Sequence, residues 1–394
     1  MNPMSPRHYN LRGKPTNKPI ALYDKWLMGA VLGLLVIGLM MVASSSVMIS
    51  TKYYYQPFHF LFRQACYVMV GLIISLGIVR MDTQVWQKIS SPLLLVCLLL
   101  LALVLIPGIG KSVNGSRRWL VLGPIGIQVS ELAKISMIFY IAAYLVRQQK
   151  SVHNSILGFV KPMLILALTA FLLLMEPDFG ATVVISATIM AMLLLAGVKA
   201  RYYFGLMVVV LSSLGVLAVS SPYRVARLTA FLNPWADQYN TGYQLTQSLI
   251  AFGRGGWFGT GLGDSVQKLF YLPEAHTDFL FAVLAEEWGL MGITVVLCLY
   301  SILVGRGLVI GYTAFTQSRF FAAFLAYGLT CWIGFQSAIN MGVNSGLLPT
   351  KGLTLPLLSY GGASMVVNCV VLAVLLRIDH ENRWHALGLR ASSV

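Results

Sequence analysis

The sequence has little charge and very few acidic residues. Only 10% of its 394 residues are charged, with 28 Lys and Arg against 13 Asp and Glu, which gives a net charge of +15. Soluble globular proteins carry about 25% charged residues, because their surfaces must face water. With 57% hydrophobic residues and a mean hydropathy of +0.76, this composition excludes a soluble enzyme, a disordered chain and a coiled coil. It predicts a protein that is solvated mainly by lipid.

The patterns of metal, disulfide and nucleotide sites are also missing. The six histidines form no H-x-x-x-H pair, so a zinc site is not expected. The glycine-rich stretch from Gly253 to Gly263 matches neither a P-loop nor the G-x-G-x-x-G fingerprint. The cations are not gathered on a polar domain, so nucleic acid is not an expected partner. The five cysteines lie in apolar stretches without C-x-x-C spacing and are expected to be small buried side chains: Cys66, Cys97, Cys298, Cys331 and Cys369.

Long apolar runs are what the sequence does contain. A membrane-spanning helix needs about 20 residues, so the shorter runs must extend into their polar flanks. The sequence predicts an all-α polytopic membrane protein with about ten transmembrane helices, and eight or nine remain alternatives. The runs are Trp26–Met48, Phe60–Val79, Leu93–Ile106, Leu132–Val146, Met163–Met175, Ala181–Val198, Tyr202–Ser220, Phe279–Val304, Phe320–Met341 and Leu353–Ile378.

Lysine and arginine set the expected orientation. They are concentrated at one set of helix ends, which includes the basic N-terminal segment, and the positive-inside rule places that set in the cytoplasm. An even number of spans puts both termini on that side. We therefore expect one membrane domain over 1–394, with a cytoplasmic N-terminal tail (1–25), a large periplasmic loop between helices seven and eight (221–277) and a cytoplasmic C-terminal tail (379–394).

Each acidic residue near an apolar run is informative, because ionisable groups in a membrane are costly. Glu131 and Lys134 lie three residues apart on one helical face, which fits a structural ion pair or a contact to an anionic substrate. Asp178 fits a helix cap or a site residue. Glu286 and Glu287 lie one to two turns into a helix, where paired or neutral interior groups are expected.

Asp278 is the strongest candidate for chemistry. Together with Glu274 and His276 it stands at the end of the long loop, where the next apolar run begins. A helix cap is the alternative interpretation. A carboxylate at the boundary of water and lipid has a raised pKa and is suited to act as a general base. The segment from Asn344 to Ala363 joins the last two helices on the outer side. Its two prolines and several glycines break helices, and it places Lys351 near the same boundary.

Several motifs, in the same order, resemble those of the SEDS family (shape, elongation, division and sporulation) of bacterial inner-membrane proteins. Two of them, Pro349 through Pro356 and Asn233-Pro-Trp-Ala, are typical of the division members rather than the elongation members. Val129 and Ala363 stand where the family usually has proline and serine, and neither change removes an ionisable group. The other motifs are Gly115-Ser-Arg-Arg-Trp-Leu120, Ser130-Glu-Leu-Ala-Lys134, Glu176-Pro-Asp-Phe-Gly180, Gly242-Tyr-Gln, His276-Thr-Asp-Phe, Ala285-Glu-Glu and Gly346 through Gly362.

The resemblance implies a peptidoglycan glycosyltransferase that polymerises lipid II during septal wall synthesis in cell division. Asp278 matches the family's essential aspartate, Lys351 matches a lysine of the division members, and Glu131 with Lys134 match the family's buried ion pair. The implied partners are a class B penicillin-binding protein, an FtsI-like transpeptidase, and other membrane proteins of the division machinery. The implied location is the inner membrane at the septum.

The chemistry of this reaction assigns further roles. Displacement of a lipid diphosphate by a sugar hydroxyl needs one general base, for which Asp278 is the candidate, and positive charge at the leaving group. A divalent cation such as Mg²⁺ or Mn²⁺ is a candidate cofactor, with Asp178 or Glu274 as ligands. The candidate substrate-binding residues are Lys351, Arg227, Arg224, Arg118, Arg254, His276, Glu274 and Ser359.

Two other functions are compatible with the sequence. A lipid II flippase would also use many helices and buried charges, but it needs a polar path through the whole membrane. Here the ionisable groups are concentrated in the outer half, apart from Glu286 and Glu287. A scaffold that only recruits division proteins would leave Asp278 and Lys351 without a role. The enzyme is the favoured interpretation.

Overall fold

A computed structural model describes residues 23–113, 116–122, 125–154, 156–220 and 222–388. In this part of the chain, helices dominate and three short strands form one small sheet. In chain order the helices are α1 (Lys25–Tyr54), α2 (His59–Ile78), α3 (Thr83–Val104), α4 (Val129–Arg147), α5 (Gln149–Asn154), α6 (Ile156–Met175), α7 (Phe179–Leu195), α8 (Ala200–Val219), α9 (Pro222–Leu232), α10 (Tyr243–Gly255), α11 (Leu280–Thr316), α12 (Phe320–Asn344) and α13 (Gly362–Ala386).

The predicted polytopic all-α fold is confirmed. Eight helices are long and apolar enough to cross a membrane: α1, α2, α3, α4, α8, α11, α12 and α13. Two shorter apolar helices, α7 and residues Val160–Met175 of α6, correspond to the remaining two predicted runs. The ten runs of the sequence therefore all fall on helices.

The helix on the last apolar run, Leu353–Ile378, differs from that run at both ends. The apolar residues begin at Leu353, but α13 begins at Gly362, because Pro356 and the glycines at 361 and 362 interrupt a helix. This agrees with the expectation that the segment from Asn344 to Ala363 joins the last two helices. The expected C-terminal tail, 379–394, continues α13 as far as Ala386. Its charged side chains are paired along the helix, as in the Arg383–Asp379 contact of 2.8 Å.

Burial separates central helices from lipid-facing ones. Nearly all of α4 is buried from Val129 to Leu145, and most side chains of α12 are buried as well. In contrast, none of the apolar window Ala200–Leu217 of α8 is buried inside the protein. Since lipid replaces water around such a helix, its exposed apolar side chains need no protein partner.

The start of α1 and the end of α13 meet at one end of the bundle, which we call the terminal end. Asp24 caps α1 by accepting a hydrogen bond from the Leu27 amide at 2.8 Å. Its carboxylate also contacts Arg383 of α13 at 3.7 Å and pairs with Arg306 of α11. Residues 1–22 and 389–394 of the two predicted tails lie outside the described residues.

The first residues of α11 lie at the opposite end, and there the long segment 221–277 packs into the bundle. It contains α9, a 3₁₀ helix (Pro234–Asp237) and α10. α11 is kinked at Gly289, which has φ +63°. The amide of Leu290 donates to the carbonyl of Gly256 at 3.0 Å. A Cβ at Gly259 would lie 2.1 Å from the carbonyl oxygen of Glu287, so this glycine permits the close packing.

A three-stranded antiparallel sheet lies between α3 and α4, where the sequence predicted only a connection. Its strands, in order, are β1 (Gly110–Val113), β2 (Ser116–Leu122) and β3 (Ile125–Gln128). The sheet places Arg118, on β2, beside the turn that joins α6 and α7.

Candidate active site

Asp278 lies at the end of the bundle opposite the terminal end. Hydrogen bonds hold its backbone carbonyl, whereas its carboxylate has none in the described residues. The side-chain amides of Asn340 and Asn344 donate to its carbonyl oxygen at 2.9 and 3.0 Å. Within the described residues its carboxylate makes no hydrogen bond, and the N-cap position of α11 is taken by Phe279 without a side-chain cap. The helix-cap interpretation of Asp278 is therefore not supported, and the carboxylate is available to accept a proton.

The surroundings of Asp278 are suited to a general base. Desolvation by burial, helped by the charge of Glu274, raises the pKa of Asp278 to about 7, although Arg118 and Arg227 act in the opposite direction. A base works best when its pKa is close to the working pH. A Cβ at Gly352 would lie 3.1 Å from the Asp278 Oδ2 atom, so the segment that carries Lys351 runs directly beside the carboxylate.

Three of the predicted cations surround this carboxylate. Arg118 donates to the backbone carbonyls of Glu176 and Pro177 at 3.1 and 2.6 Å. Arg227 donates to the carbonyl of Thr350 at 3.4 Å. The Lys351 ammonium lies 4.2 Å from the centre of the Phe179 ring. These cations come from β2, α9 and the segment after α12, so tertiary packing alone brings them together.

Arg254 and Arg224 do not extend this cluster. The Arg254 guanidinium is 3.4 Å from the carboxylate of Glu286, which also accepts hydrogen bonds from the amides of Val266 and Gln267. The side chain of Arg224 lies outside the described residues. Glu286 is thus paired, as the sequence indicated for an interior group.

Glu287 is paired as well. It accepts a hydrogen bond from the buried Lys268 ammonium at 2.7 Å and one from Ser44 of α1 at 2.6 Å. The two neighbouring glutamates therefore tie the long segment to α1 and α11, at a distance from the chemistry of Asp278.

The other predicted contacts near Asp278 mostly serve local structure. Glu274 accepts a hydrogen bond from the Thr277 hydroxyl at 2.7 Å, and Ser359 accepts one from the Leu355 amide at 3.0 Å. His276 packs against Phe60 with ring centres 4.8 Å apart, and burial lowers its pKa. Its Nδ1 atom is buried without a hydrogen-bond partner in the described residues, so His276 keeps an unused polar atom beside the site.

The turn between α6 and α7 supplies two further carboxyl groups. Asp178 caps α7 by accepting a hydrogen bond from the Ala181 amide at 3.0 Å, and it lies 3.8 Å from Arg118. Both carboxyl oxygens of Glu176 are buried without a partner among the described residues, and desolvation raises the pKa of Glu176 to about 8. Glu176 is therefore protonated at neutral pH.

The residues described do not bring together three His, Cys, Asp or Glu side chains in the way of an all-protein metal site. Asp178 and Glu274, the predicted ligands, each have a structural hydrogen bond instead. A divalent cation at this end would take most of its ligands from substrate phosphates and water, as Mg²⁺ commonly does.

Glu131 and Lys134 form the buried ion pair that the sequence offered as one alternative. Their charged atoms are 2.8 Å apart, and the Lys134 ammonium also donates to Gln336 of α12 at 2.7 Å. The ring of Trp332 lies 4.9 Å from the same ammonium. With every donor direction facing protein, Lys134 has a structural role.

Sequence reasoning missed the polar residues of α12. Gln336, Asn340 and Asn344 are each separated by four residues, so they lie on one face of an otherwise apolar helix. That spacing is visible in the sequence, and it would have indicated a polar seam directed at one neighbouring segment.

The fold and the site together define a class of protein: a multi-pass membrane protein whose described residues place the Asp278 carboxylate, without a hydrogen bond, beside a group of cations at one end. The chain belongs to the FtsW/RodA/SpoVE family of cell cycle proteins, whose sequence profile matches residues 25–384. A Legionella pneumophila protein named "Probable peptidoglycan glycosyltransferase FtsW" is 75% identical over 390 residues, 99% of both chains. A Coxiella burnetii protein of the same name is 54% identical over 359 residues, covering 91% of this chain and 96% of the relative.

Solved structures give the same result. A chain from a structure described as "Structural coordination of polymerization and crosslinking by a peptidoglycan synthase complex" has a TM-score of 0.73 and 28% identity, over 91% of this chain and 98% of that one. The rod shape determining protein RodA of Thermus thermophilus has a TM-score of 0.68 and 27% identity, over 91% and 97%. The predicted family is confirmed, and so is the predicted enzyme class, peptidoglycan glycosyltransferase.

Proposed function

We propose that this protein polymerises lipid II into glycan strands by an inverting single displacement in which Asp278 is the general base. One observation carries the proposal: the Asp278 carboxylate has no hydrogen bond in the described part of the chain, has a pKa raised to about 7 and lies in the field of Arg118 and Arg227. An ionisable group without a hydrogen-bond partner is costly at this depth, and such groups mark functional sites in membrane proteins.

In this reaction Asp278 removes the proton from the attacking sugar hydroxyl. The oxygen then forms a bond to the anomeric carbon of the donor, and the bond from that carbon to the diphosphate oxygen breaks. The lipid diphosphate leaves with the bonding electrons, and Arg118, Arg227 and Lys351 stabilise its charge. A competent leaving group of this kind needs no second carboxyl group to protonate it.

A divalent cation would supply additional positive charge at the diphosphate. Asp178 is the described carboxylate best placed to contribute a ligand, since it lies beside Arg118. Phosphate oxygens and water would complete the coordination, and the residues above keep their roles with or without this ion.

The proposal also covers orientation and partners. The cation distribution supports a terminal end in the cytoplasm and Asp278 at the periplasmic surface, where the sugars of lipid II would react while its lipid tail stays in the membrane. A class B penicillin-binding protein is the proposed partner, in line with the peptidoglycan synthase complex that this chain resembles. Location at the division septum follows from the name of the relatives.

The test is polymerisation of labelled lipid II by the purified protein with its cognate transpeptidase. We expect polymer from the wild type and a loss of about 10²- to 10⁴-fold in rate for Asp278→Asn, the usual contribution of a general base. The matched control is Asp264→Asn, which makes the same chemical change at an exposed position of the same long segment and should keep full activity.

Two outcomes would contradict the proposal. Equal polymer from the wild type and a folded Asp278→Asn variant would remove Asp278 as the base and direct attention to Glu274 or Asp178. No polymer from the wild type with its transpeptidase bound would favour the alternative function, a lipid II flippase.

A further inference from the structure

Helix α12 presents a row of three side-chain amides to the candidate active site. Gln336, Asn340 and Asn344 are spaced by four residues and are 1%, 2% and 0% exposed. Such a row covers about two turns, or 12 Å of helix. Buried amides need partners for both donors and acceptors, and the identity of these partners shows what the row does.

Asn344 holds the beginning of α11. Its Nδ2 atom donates to the carbonyl of Asp278 at 3.0 Å, and its Oδ1 atom accepts from the amide of Ala282 at 3.1 Å. The Ala282 amide belongs to the first turn of α11, where it also donates to the carbonyl of Phe279 at 3.1 Å. Asn344 therefore fixes both the residue that precedes the helix and the helix entrance.

Asn340 connects the two segments that meet in the site. Its Nδ2 atom donates to the carbonyl of Asp278 at 2.9 Å and also to the carbonyl of Leu353. One nitrogen thus joins the Asp278 segment to the non-helical segment that carries Lys351. These segments are 75 residues apart in the sequence, as the numbers of Asp278 and Leu353 show.

Gln336 anchors the row to the centre of the bundle. Its Nε2 atom donates to the carbonyl of Thr354 at 2.9 Å. Its Oε1 atom accepts from the Lys134 ammonium at 2.7 Å and from the Trp332 indole at 2.9 Å. The buried ion pair of α4 is therefore linked, through one amide, to the residue next to Leu353.

We infer that Gln336, Asn340 and Asn344 are positioning residues that fix the register between Asp278 and the Lys351 segment. The inference rests on the proposed function, in which these two residues act on the same substrate. If these amides only satisfied buried carbonyls in general, their partners would be spread over the bundle. Instead, each donor nitrogen of the row bonds to residue 278, 353 or 354, and that of Asn344 also donates to Asn340 within the row.

The consequence for catalysis is geometric. A displacement of about 1 Å in a catalytic group can cost about 10²-fold in rate, even when the changed residue never touches the substrate. Because Asn340 bonds to both segments at once, its loss should release both. Substrate binding should weaken less than catalysis. The contacts of Arg118 involve neither α12 nor the Lys351 segment, whereas Arg227 bonds to Thr350 of that segment.

The experiment compares Asn340→Leu with Asn344→Asp, which keeps an acceptor for Ala282 and loses the donor to Asp278. Lipid II polymerisation gives kcat and KM, and hydrogen exchange reports on peptides 277–283 and 350–356. We expect kcat to fall by about 10- to 100-fold, with a smaller rise in KM because Lys351 and the Thr350 partner of Arg227 lie in the released segment. Exchange should be faster in both peptides for Asn340→Leu.

The matched control is Asn382→Leu. It removes an equally buried amide of α13, which donates to the carbonyl of Ile310 at 3.0 Å near the terminal end. This variant should speed exchange there and leave kcat unchanged. Asn344→Asp, which keeps the acceptor for Ala282, gives the result if Asn340→Leu does not fold.

Three outcomes separate the interpretations. Wild-type kcat and wild-type exchange in both peptides of a folded Asn344→Asp or Asn340→Leu variant would overturn the inference. Faster exchange spread evenly over both ends of the bundle, with a matching loss of thermal stability, would also overturn it in favour of a purely structural role. A third outcome is faster exchange in both peptides of the variant together with no polymer from the wild type. It would support the positioning role and refute the proposed function.

Discussion

At the terminal end of the bundle every acidic side chain of α13 and its neighbours is paired with arginine, whereas at the opposite end two carboxyl groups are left without partners in the described residues. Glu381 pairs with Arg319 and Arg377, and its Oε2 atom accepts from the Thr83 hydroxyl at 2.7 Å. At the other end, both carboxyl oxygens of Glu176 are buried without a partner in the described residues, and the carboxylate of Asp278 accepts no hydrogen bond from them.

This difference distinguishes acidic residues that stabilise the fold from those that are available for the reaction. A buried charge that is paired and hydrogen-bonded holds helices in register, and removing one partner leaves a costly charge behind. A buried acid without a partner does not help to hold the fold together. Burial raises its pKa, which favours the neutral form. Such an acid is retained where its proton is used, and Asp278 fits this description. The predictions below test whether the two ends differ in this way.

The largest expected effect is a loss of activity without a loss of stability at Asp278. Because its carboxylate has no hydrogen bond to lose, Asp278→Asn should keep or slightly raise the temperature of unfolding while polymerisation falls by about 10²- to 10⁴-fold. Thermal unfolding of the purified protein measures the first quantity. A clear fall in unfolding temperature would mean that Asp278 is a structural residue and that the contrast between the ends does not hold.

Glu381→Gln should give the opposite result. The change removes the carboxylate that pairs with Arg319 and one of the two that pair with Arg377, which keeps Asp82. Breaking a buried pair from one side costs about 3–5 kcal/mol. We expect the free energy of unfolding to fall by that amount, while the folded fraction polymerises lipid II at the wild-type rate. Asp264→Asn serves as the control that removes an exposed acid. An unchanged free energy of unfolding would show that these ion pairs are not what holds the terminal end.

The sequence predicted the helices well because their signal is local. Ten apolar runs all fall on helices, since a long apolar stretch in lipid has no other way to satisfy its backbone. The errors came where the signal is weak or distant. The short strands around Arg118 have no long alternating pattern. The apolar run from Leu353 starts nine residues before α13, since leucines extend an apolar run on both sides of Pro356.

The site was predicted less completely, for a related reason. Asp278 and Lys351 stand out because a charge beside an apolar run is rare, so composition alone identifies them. Ion pairs and hydrogen bonds between distant residues depend on tertiary packing, which the sequence does not reveal. Arg254 pairs with Glu286, and Arg118 bonds to the carbonyl of Glu176, 58 residues away. The amides of α12 were overlooked because uncharged polar residues are tolerated in a membrane helix without special explanation.

The next effect is the dependence of polymerisation on pH. The base must be ionised to act, and the pKa of Asp278 is raised to about 7, so the rate should fall below that pH, by about tenfold for each further unit. Glu274 raises the pKa of Asp278 through its charge, so Glu274→Gln should move the midpoint to lower pH. An unmoved midpoint in this variant would show that the titrating group is not Asp278.

The smallest effect concerns Glu176, the second unpaired acid. Desolvation raises its pKa from 4.5 to about 8, so below pH 4.5 both the folded and the unfolded forms are neutral and the raised pKa carries no penalty. As the pH rises through this window the unfolded form ionises first, and the wild type loses stability. Glu176→Gln cannot ionise, so its unfolding temperature should exceed that of the wild type by a margin that grows from pH 4.5 to about 8. If the margin is constant across this range, Glu176 is not buried in its neutral form, and Asp278 alone distinguishes the two ends.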